Sequence, residues 1–205
     1  MRDFIPTTVV FCDVETGGLD PHKHSVLSVG LCVASIGYDG SLHTANFGDW
    51  FVREPDACLG DTVTEAALKI NGLSMAQILR VGFHPAQVMD QINTALDAAV
   101  NEDCAVTLGG QNFGAFDYQF FKRWERQYGI KLRRHQHRFV DTATIIHMMK
   151  SVRMLPPEVR SLVDACKALN LPFEDHDFHT AVKDAEASAR IWHWFVQHVG
   201  EGALL

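Results

Sequence analysis

The chain has 205 residues, of which 47% are hydrophobic, and a formal net charge of −7. This size and composition are sufficient for one full hydrophobic core, so we interpret residues 1–205 as a single domain. No long apolar run or signal peptide is evident, which argues against a membrane partner. The five cysteines are widely spaced and mostly lie in apolar runs, which favours reduced thiols and a cytoplasmic location.

The first part of the chain predicts a three-stranded antiparallel meander followed by helices. β-rich segments cover 8–15, 25–36 and 41–52, and Gly37-Tyr-Asp-Gly40 between the last two has the composition of a turn. A short helix is predicted over 64–70, where Asn71-Gly72 gives a stop signal. Apolar spacing from Val88 to Val100 predicts an amphipathic helix over 85–100.

The rest of the chain predicts strands that alternate with helices. In order, we expect a strand over 105–108 ended by Gly109-Gly110, a helix over 115–128, a strand over 138–142 that runs into a helix through Met149, and helices over 158–169 and 179–199. Three antiparallel strands followed by strand–helix alternation predict an α/β fold with a mixed sheet flanked by helices.

Two carboxylates interrupt the apolar first strand. Asp13 and Glu15 share one face of that strand with Phe11, whereas Cys12 and Val14 lie on the other. Burying an ionised carboxylate costs several kcal/mol unless a cation or a close partner compensates it. The segment therefore predicts either a metal site or an edge strand whose acids face water.

Asp117 is a third acid with two interpretations. It lies among aromatic residues near the start of a predicted helix that follows a strand. An acid there is either a capping or first-turn residue favoured by the helix dipole, or a ligand that faces inward. The local sequence leaves both open.

His179 and Asp184 surround the start of the last helix. Five residues correspond to about 140° on an ideal helix, so the two side chains do not share a face if both are helical. We expect His179 in the preceding loop or first turn, where it can act as a general base over a metal held by Asp184. Asp184 shares a stripe with Ser188, Ile191 and Phe195, which indicates an inward face. The alternative is a solvated histidine beside a solvated acid.

Basic residues concentrate in the segment 122–138, against the acidic balance of the whole chain. The segment has seven basic residues and a single acidic one, Glu125. The basic residues are Lys122, Arg123, Arg126, Lys131, Arg133, Arg134 and Arg138. Such a run suits either contact with phosphates or a solvated helix flank and loop.

Together these residues resemble a known family. Residues 13–19, residues 112–117, and His179 with Asp184 are similar in order and spacing to the three exonuclease motifs of the DEDDh group. These are the DnaQ-like 3′–5′ exonucleases of the ribonuclease H-like superfamily. Leu68-Lys-Ile-Asn-Gly-Leu-Ser74 resembles a further recurring segment of that family. The resemblance implies a ribonuclease H-like sheet and the release of nucleoside 5′-monophosphates from the 3′ end of single-stranded DNA or RNA.

The resemblance also implies roles for particular residues. Two Mg²⁺ ions, with Mn²⁺ as a possible substitute, suit four hard oxygen ligands, and His179 would be the general base. The implied ligands, which count with His179 as catalytic residues, are Asp13, Glu15, Asp117 and Asp184. The expected substrate contacts are Thr16, Leu19, Asn112 and Phe116, with Arg133 and Arg134 from the basic segment.

Three alternatives to a DNA exonuclease stay open at this level. They are a ribonuclease that trims RNA, a non-catalytic module that binds nucleic acid or a polymerase on the same fold, and an endonuclease of the wider superfamily. A homodimer or a polymerase-associated complex is compatible with each.

Overall fold

The computed structural model describes residues 7–99, 105–133, 135–172 and 180–202. The described part of the chain contains a five-stranded sheet of order β3-β2-β1-β4-β5. The strands are β1 (Thr7–Thr16), β2 (Val26–Ile36), β3 (Leu42–Phe51), β4 (Val106–Gly110) and β5 (His135–Asp141). β2 pairs antiparallel with both β1 and β3, whereas β4 pairs parallel with β1, and β5 pairs parallel with β4. The predicted mixed sheet is confirmed.

Helices cover both faces of this sheet. They are α1 (Glu65–Asn71), α2 (Met75–Val81), α3 (Pro85–Ala99), α4 (Asp117–Tyr128), α5 (Thr142–Ser151), α6 (Leu162–Ala168) and α7 (Ala181–Gly202). One core lies between the sheet and α5, α6 and α7, and a second lies between the sheet and α3 and α4. Within the described ranges, no helix is long and apolar enough to cross a membrane.

The alternation of side chains in β1 divides its residues between the two cores. Phe11 contacts Trp192 of α7, with ring centroids 5.6 Å apart. Val10, Cys12 and Val14 lie in the core under α3 and α4. The predicted face of Asp13 and Glu15 is therefore the face that α7 covers.

Helix capping explains two differences from the predicted helices. The helix predicted from residue 158 begins at Leu162, because Ser161 forms a capping box with Asp164. α2 was not predicted, although Ser74 caps it by accepting a hydrogen bond from the Gln77 N–H. Val100, the predicted end of α3, lies outside the described residues.

The two glycines expected to end β4 lie inside it, so that boundary prediction was wrong. A Cβ at Gly109 would lie 2.8 Å from the Val140 carbonyl oxygen and 2.9 Å from Phe11 Cε1. These glycines therefore permit close contact between β4 and its neighbours.

α7 lies very close to the sheet at Gly30 of β2. A Cβ at this position would lie 2.0 Å from the Val182 backbone nitrogen. Gly30 is the register partner of Asp13 in β1. The missing side chain thus lets the first turn of α7 lie directly against the sheet beside Asp13.

We expect Gly30→Ala to lower the free energy of unfolding by at least about 1–3 kcal/mol, because the new methyl group overlaps backbone atoms that cannot move aside. The change should also displace the first turn of α7 and reduce the activity that the sequence resemblance implies. Gly37→Ala is the matched control, since its Cβ would meet mainly the mobile ends of Asp39 and Ser41. Thermal unfolding and activity measure both effects, and a Gly30→Ala protein with parental Tm would contradict the close contact.

Candidate active site

Three carboxylates come together where β1 meets the start of α7. Asp13, Glu15 and Asp184 each place one carboxylate oxygen within 4.8 Å of the others. All three ligand atoms are hard oxygens, which suits Mg²⁺ or Mn²⁺ rather than a soft metal. We call these residues the carboxylate cluster.

Two elements place the members of the cluster. Asp13 and Glu15 project from β1 toward α7, and Asp184 lies in the first turn of that helix. Ser188 and Ile191, which share its predicted stripe, are buried. The inward face predicted for Asp184 is therefore present.

Asp117 lies next to the carboxylate cluster and is bonded to β1. It is the first residue of α4 and is only 2% exposed. Its Oδ1 accepts a hydrogen bond of 3.0 Å from the Val14 N–H in β1. Because it bonds to a strand distant in sequence, Asp117 is more than a helix cap. Its charge acts on Asp13, although Asp117 is not one of the three carboxylates that lie within 4.8 Å of one another.

The pKa values show how unfavourable this concentration of charge is. Burial, followed by the charges of Asp117, Asp184 and Glu15, raises the pKa of Asp13 well above its ordinary range. Burial and then the charge of Asp184 raise the pKa of Glu15 to about 7. Burial raises the pKa of Asp117 to about 8, although the Val14 N–H opposes the shift. A cation would relieve this repulsion, and the site therefore fits a divalent metal ion.

Asp49 of β3 is a further acid at the rim, and the sequence analysis did not identify it. It is the register partner of Gly30, which in turn pairs with Asp13. Its charge contributes to the raised pKa of Glu15, and burial raises its own pKa. An irregularity between Leu31 and Cys32 shifts the register by one residue and turns Asp49 toward the site.

Asp141 holds the segment that leads to Asp117. Its Oδ1 accepts hydrogen bonds of 2.9 Å from the backbone N–H groups of Asn112 and Ala143, so it both caps α5 and restrains Asn112. Asn112 has a φ of 59°, a left-handed conformation that asparagine tolerates better than most residues. The expected substrate residue Asn112 therefore has a defined backbone role, and its side chain is exposed.

The end of β1 is fixed by α1 and the residue before it. Asn71 Nδ2 donates to the Thr16 carbonyl at 3.0 Å, and the Thr64 N–H donates to the Gly17 carbonyl at 2.9 Å. Asn71 belongs to the recurring segment noted in the sequence. These contacts keep Thr16, an expected substrate contact, in place next to Glu15.

Two apolar side chains that are expected to contact substrate lie close in sequence to the acids. Leu19 is 83% exposed, a high value for a leucine, and follows β1 closely. Phe116 is partly buried, directly precedes Asp117, and has its ring 5.2 Å from that of Phe120.

Among the described residues, two arginines of the basic segment lie away from the cluster. Arg133 precedes β5, at the end of the parallel strands opposite to the acids, and pairs with Asp97 at 3.4 Å. The length of β5 separates this end of the sheet from the site by about 20 Å. Arg134 and His179 lie outside the described residues. Arg123, counted in the basic segment, is buried against Glu54.

A family model described as an RNase T exonuclease matches residues 10–192 of this chain. Ribonuclease T of Marinobacter nauticus is 28% identical over 195 residues, which cover 93% of this chain and 81% of the relative. The 3′-5′ DNA exonuclease Cap18 of Escherichia coli is 30% identical over 119 residues, 58% of this chain and 57% of that protein.

The fold is also similar to a solved structure. Escherichia coli exonuclease I in complex with a dA16 oligonucleotide superimposes with a TM-score of 0.76 at 15% identity. The match covers 95% of this chain but only 42% of the exonuclease I chain. At this identity the similarity establishes the fold alone.

The raised pKa values predict that the metal-free protein loses stability as the pH rises. Glu15 and Asp117 have ordinary values of 4.5 and 3.8 but folded values of about 7 and about 8. Between those limits the folded state binds more protons than the unfolded chain, so the free energy of unfolding falls with rising pH. In EDTA, we expect Tm to drop by several degrees between about pH 5 and about pH 8.

Millimolar Mg²⁺ or Mn²⁺ should restore Tm, and should do so most strongly at the upper end of this range. Asp184→Asn should flatten the pH dependence in EDTA, whereas Asp90→Asn, an exposed acid on α3, should leave it unchanged. A Tm in EDTA that stays constant or rises across the window would contradict the assignment.

Proposed function

Because this chain belongs to the RNase T exonuclease family and is a 3′–5′ exonuclease, we propose that Asp13, Glu15, Asp117 and Asp184 form its metal-binding catalytic centre. The observation that carries the proposal is the convergence of three of these carboxylates within 4.8 Å. Asp117 supports it as the largest charge contribution to the raised pKa of Asp13. A purely binding module has no need for so costly a cluster.

The four carboxylates would hold two Mg²⁺ ions, and Mn²⁺ has the same preference for oxygen ligands. When bound, such ions supply Lewis acidity that makes water a better nucleophile and neutralises charge on the 3′ leaving oxygen. The chain contributes the fixed positions of the ligands. β1 sets Asp13 and Glu15, while the first residues of α4 and α7 set Asp117 and Asp184.

The proposed substrate is the 3′ end of single-stranded RNA or DNA. Both chemistries occur in the names of the relatives, Ribonuclease T and a 3′-5′ DNA exonuclease. Leu19 and Phe116 offer apolar surface to the terminal nucleotide, and Thr16 and Asn112 flank the acids in sequence. Arg133 would meet only a strand that extends well away from its 3′ end, and Arg134 lies outside the described residues.

Residues 1–205 are proposed to act as a single exonuclease domain in the cytoplasm. One sheet and a family match over residues 10–192 support the single domain. The four cysteines in the described part of the chain carry free thiols, which supports a reducing compartment.

We expect the protein with Mg²⁺ to shorten 5′-labelled single-stranded oligonucleotides stepwise from the 3′ end. Asp184→Asn should lower the rate by about a thousandfold or more, because it removes a negatively charged ligand. Asp90→Asn is the matched control and should keep parental activity. Parallel DNA and RNA ladders rank the two substrates, and EDTA should stop both reactions. Internal cleavage, or full activity of Asp184→Asn, would refute the proposal.

His179 is proposed as the general base that takes a proton from the attacking water. We expect His179→Ala to reduce kcat by about 10²–10⁴-fold, the usual contribution of a positioned base. Stabilisation by Mg²⁺ should persist in this variant, because the carboxylates are intact. A variant that loses the Mg²⁺-dependent rise in Tm would indicate a ligand instead of a base.

A further inference from the structure

A buried ion pair outside the carboxylate cluster joins three separate parts of the chain. Glu54 follows β3 and is 2% exposed, and Arg123 of α4 is 7% exposed. Their side chains form a hydrogen-bonded salt bridge. The sequence analysis placed Arg123 among residues able to contact phosphate, but its burial directs it to a partner inside the protein.

The polar groups of this pair are used for specific contacts. One oxygen, Glu54 Oε1, accepts hydrogen bonds from the Val26 N–H at 3.0 Å and from Trp124 Nε1 at 2.8 Å, besides that from Arg123. The other terminal nitrogen of the guanidinium, Nη1, donates to the His24 carbonyl at 2.7 Å. Arg123 therefore connects α4 to the segment that follows β1.

That segment, residues 17–25, is a closed turn that carries Leu19. The Gly17 N–H donates to the Ser25 carbonyl at 2.7 Å, and the His24 N–H donates to the Asp20 carbonyl at 2.8 Å. The His24 ring lies against Gly18, where a Cβ would be 2.6 Å from Cδ2. Since the turn is internally bonded, fixing His24 also fixes the residues around Leu19.

Stability alone does not account for this arrangement. Replacing a buried ion pair with apolar residues of similar volume is often neutral or stabilising, because both charges lose their hydration on burial. Arg123 Nε is buried and has no hydrogen-bond partner among the described residues, which adds to the cost. What the apolar replacement lacks is the directional bond to His24.

We propose that Glu54 and Arg123 are positioning residues, which fix the turn of residues 17–25 against α4 and so place the substrate's terminal nucleotide relative to the carboxylate cluster. α4 begins with Asp117, six residues before Arg123, so the same rigid helix carries an acid and the anchor of the turn. The inference rests on the proposed function, in which Leu19 contacts the terminal nucleotide.

The double variant Glu54→Leu with Arg123→Met tests this inference, because it fills the volume without the bond to His24. We expect a folded protein whose KM rises about tenfold on a dinucleotide and on a long oligonucleotide alike, with a much smaller change in kcat. Inhibition by a nucleoside 5′-monophosphate should weaken by the same factor. Equal effects on short and long substrates locate the defect at the terminal nucleotide.

Two further variants separate positioning from stability. Leu96→Ala removes a fully buried side chain of α3 and should lower Tm while leaving KM unchanged. Arg123→Lys keeps the charge, but a single ammonium group cannot reproduce the two bonds that the guanidinium nitrogens make to Glu54 and His24. Its KM should therefore lie between those of the parent and the double variant. If the double variant lowers only Tm, or if KM in all variants equals the parental value, the inference is overturned.

Anisotropy of a 5′-labelled oligonucleotide gives an equilibrium Kd that does not depend on cleavage. A parent protein that binds but does not cleave would overturn the proposed function alone, and the Kd of the double variant would still test the positioning role. A double variant with parental Kd and KM would overturn the inference while the exonuclease activity stands.

Discussion

Repulsion among closely spaced carboxylates is the constraint on which the site depends. Asp13, Glu15 and Asp184 lie within 4.8 Å of one another, and Asp117 adds a fourth charge from α4. Charges this close destabilise the folded chain unless a cation is bound, so the scaffold must hold them by contacts made elsewhere. One such contact lies between α7 and Gly30, where the helix backbone lies directly against the backbone of β2.

The same edge of the sheet supplies the other parts of the site. β1, β4 and β5 run in parallel, so the segments after them emerge together. Asp141 at the end of β5 holds Asn112 after β4, and the Val14 N–H in β1 binds Asp117. Each strand end is thus bonded to its neighbour's loop. The site is a set of mutual restraints, and no single loop determines it.

The part of this arrangement that follows from local periodicity could be predicted from the sequence. The two-residue repeat of β1 predicts the common face of Asp13 and Glu15, and the helical stripe below Asp184 predicts its inward direction. Asp49 could not be found in this way, because a one-residue bulge in β3 reverses the face that strict alternation would give it. Such a shift depends on the pairing of two strands and has no signature in either one.

Arg123 shows a second limit of sequence reasoning. A run of basic residues says nothing about which member is buried, and the partner Glu54 lies 69 residues away. The start of α6 and the whole of α2 were missed for a related reason, since Ser161 and Ser74 act as caps only once the following turn is helical. Local sequence signals therefore predict which elements form. Contacts between distant segments decide where those elements end and which charged residues pair.

The order of the strands gives the two halves of the site different dynamics. β1 lies in the middle of the sheet, with β2 and β4 bonded along its sides, so its amide hydrogens should exchange with solvent only through large-scale opening. Asp117 is the first residue of α4 and Asp184 lies in the first turn of α7, and helix termini open more readily than a central strand. Asp13 and Glu15 therefore lie on the more protected element, whereas local opening of a helix terminus would separate Asp117 or Asp184 from them without global unfolding.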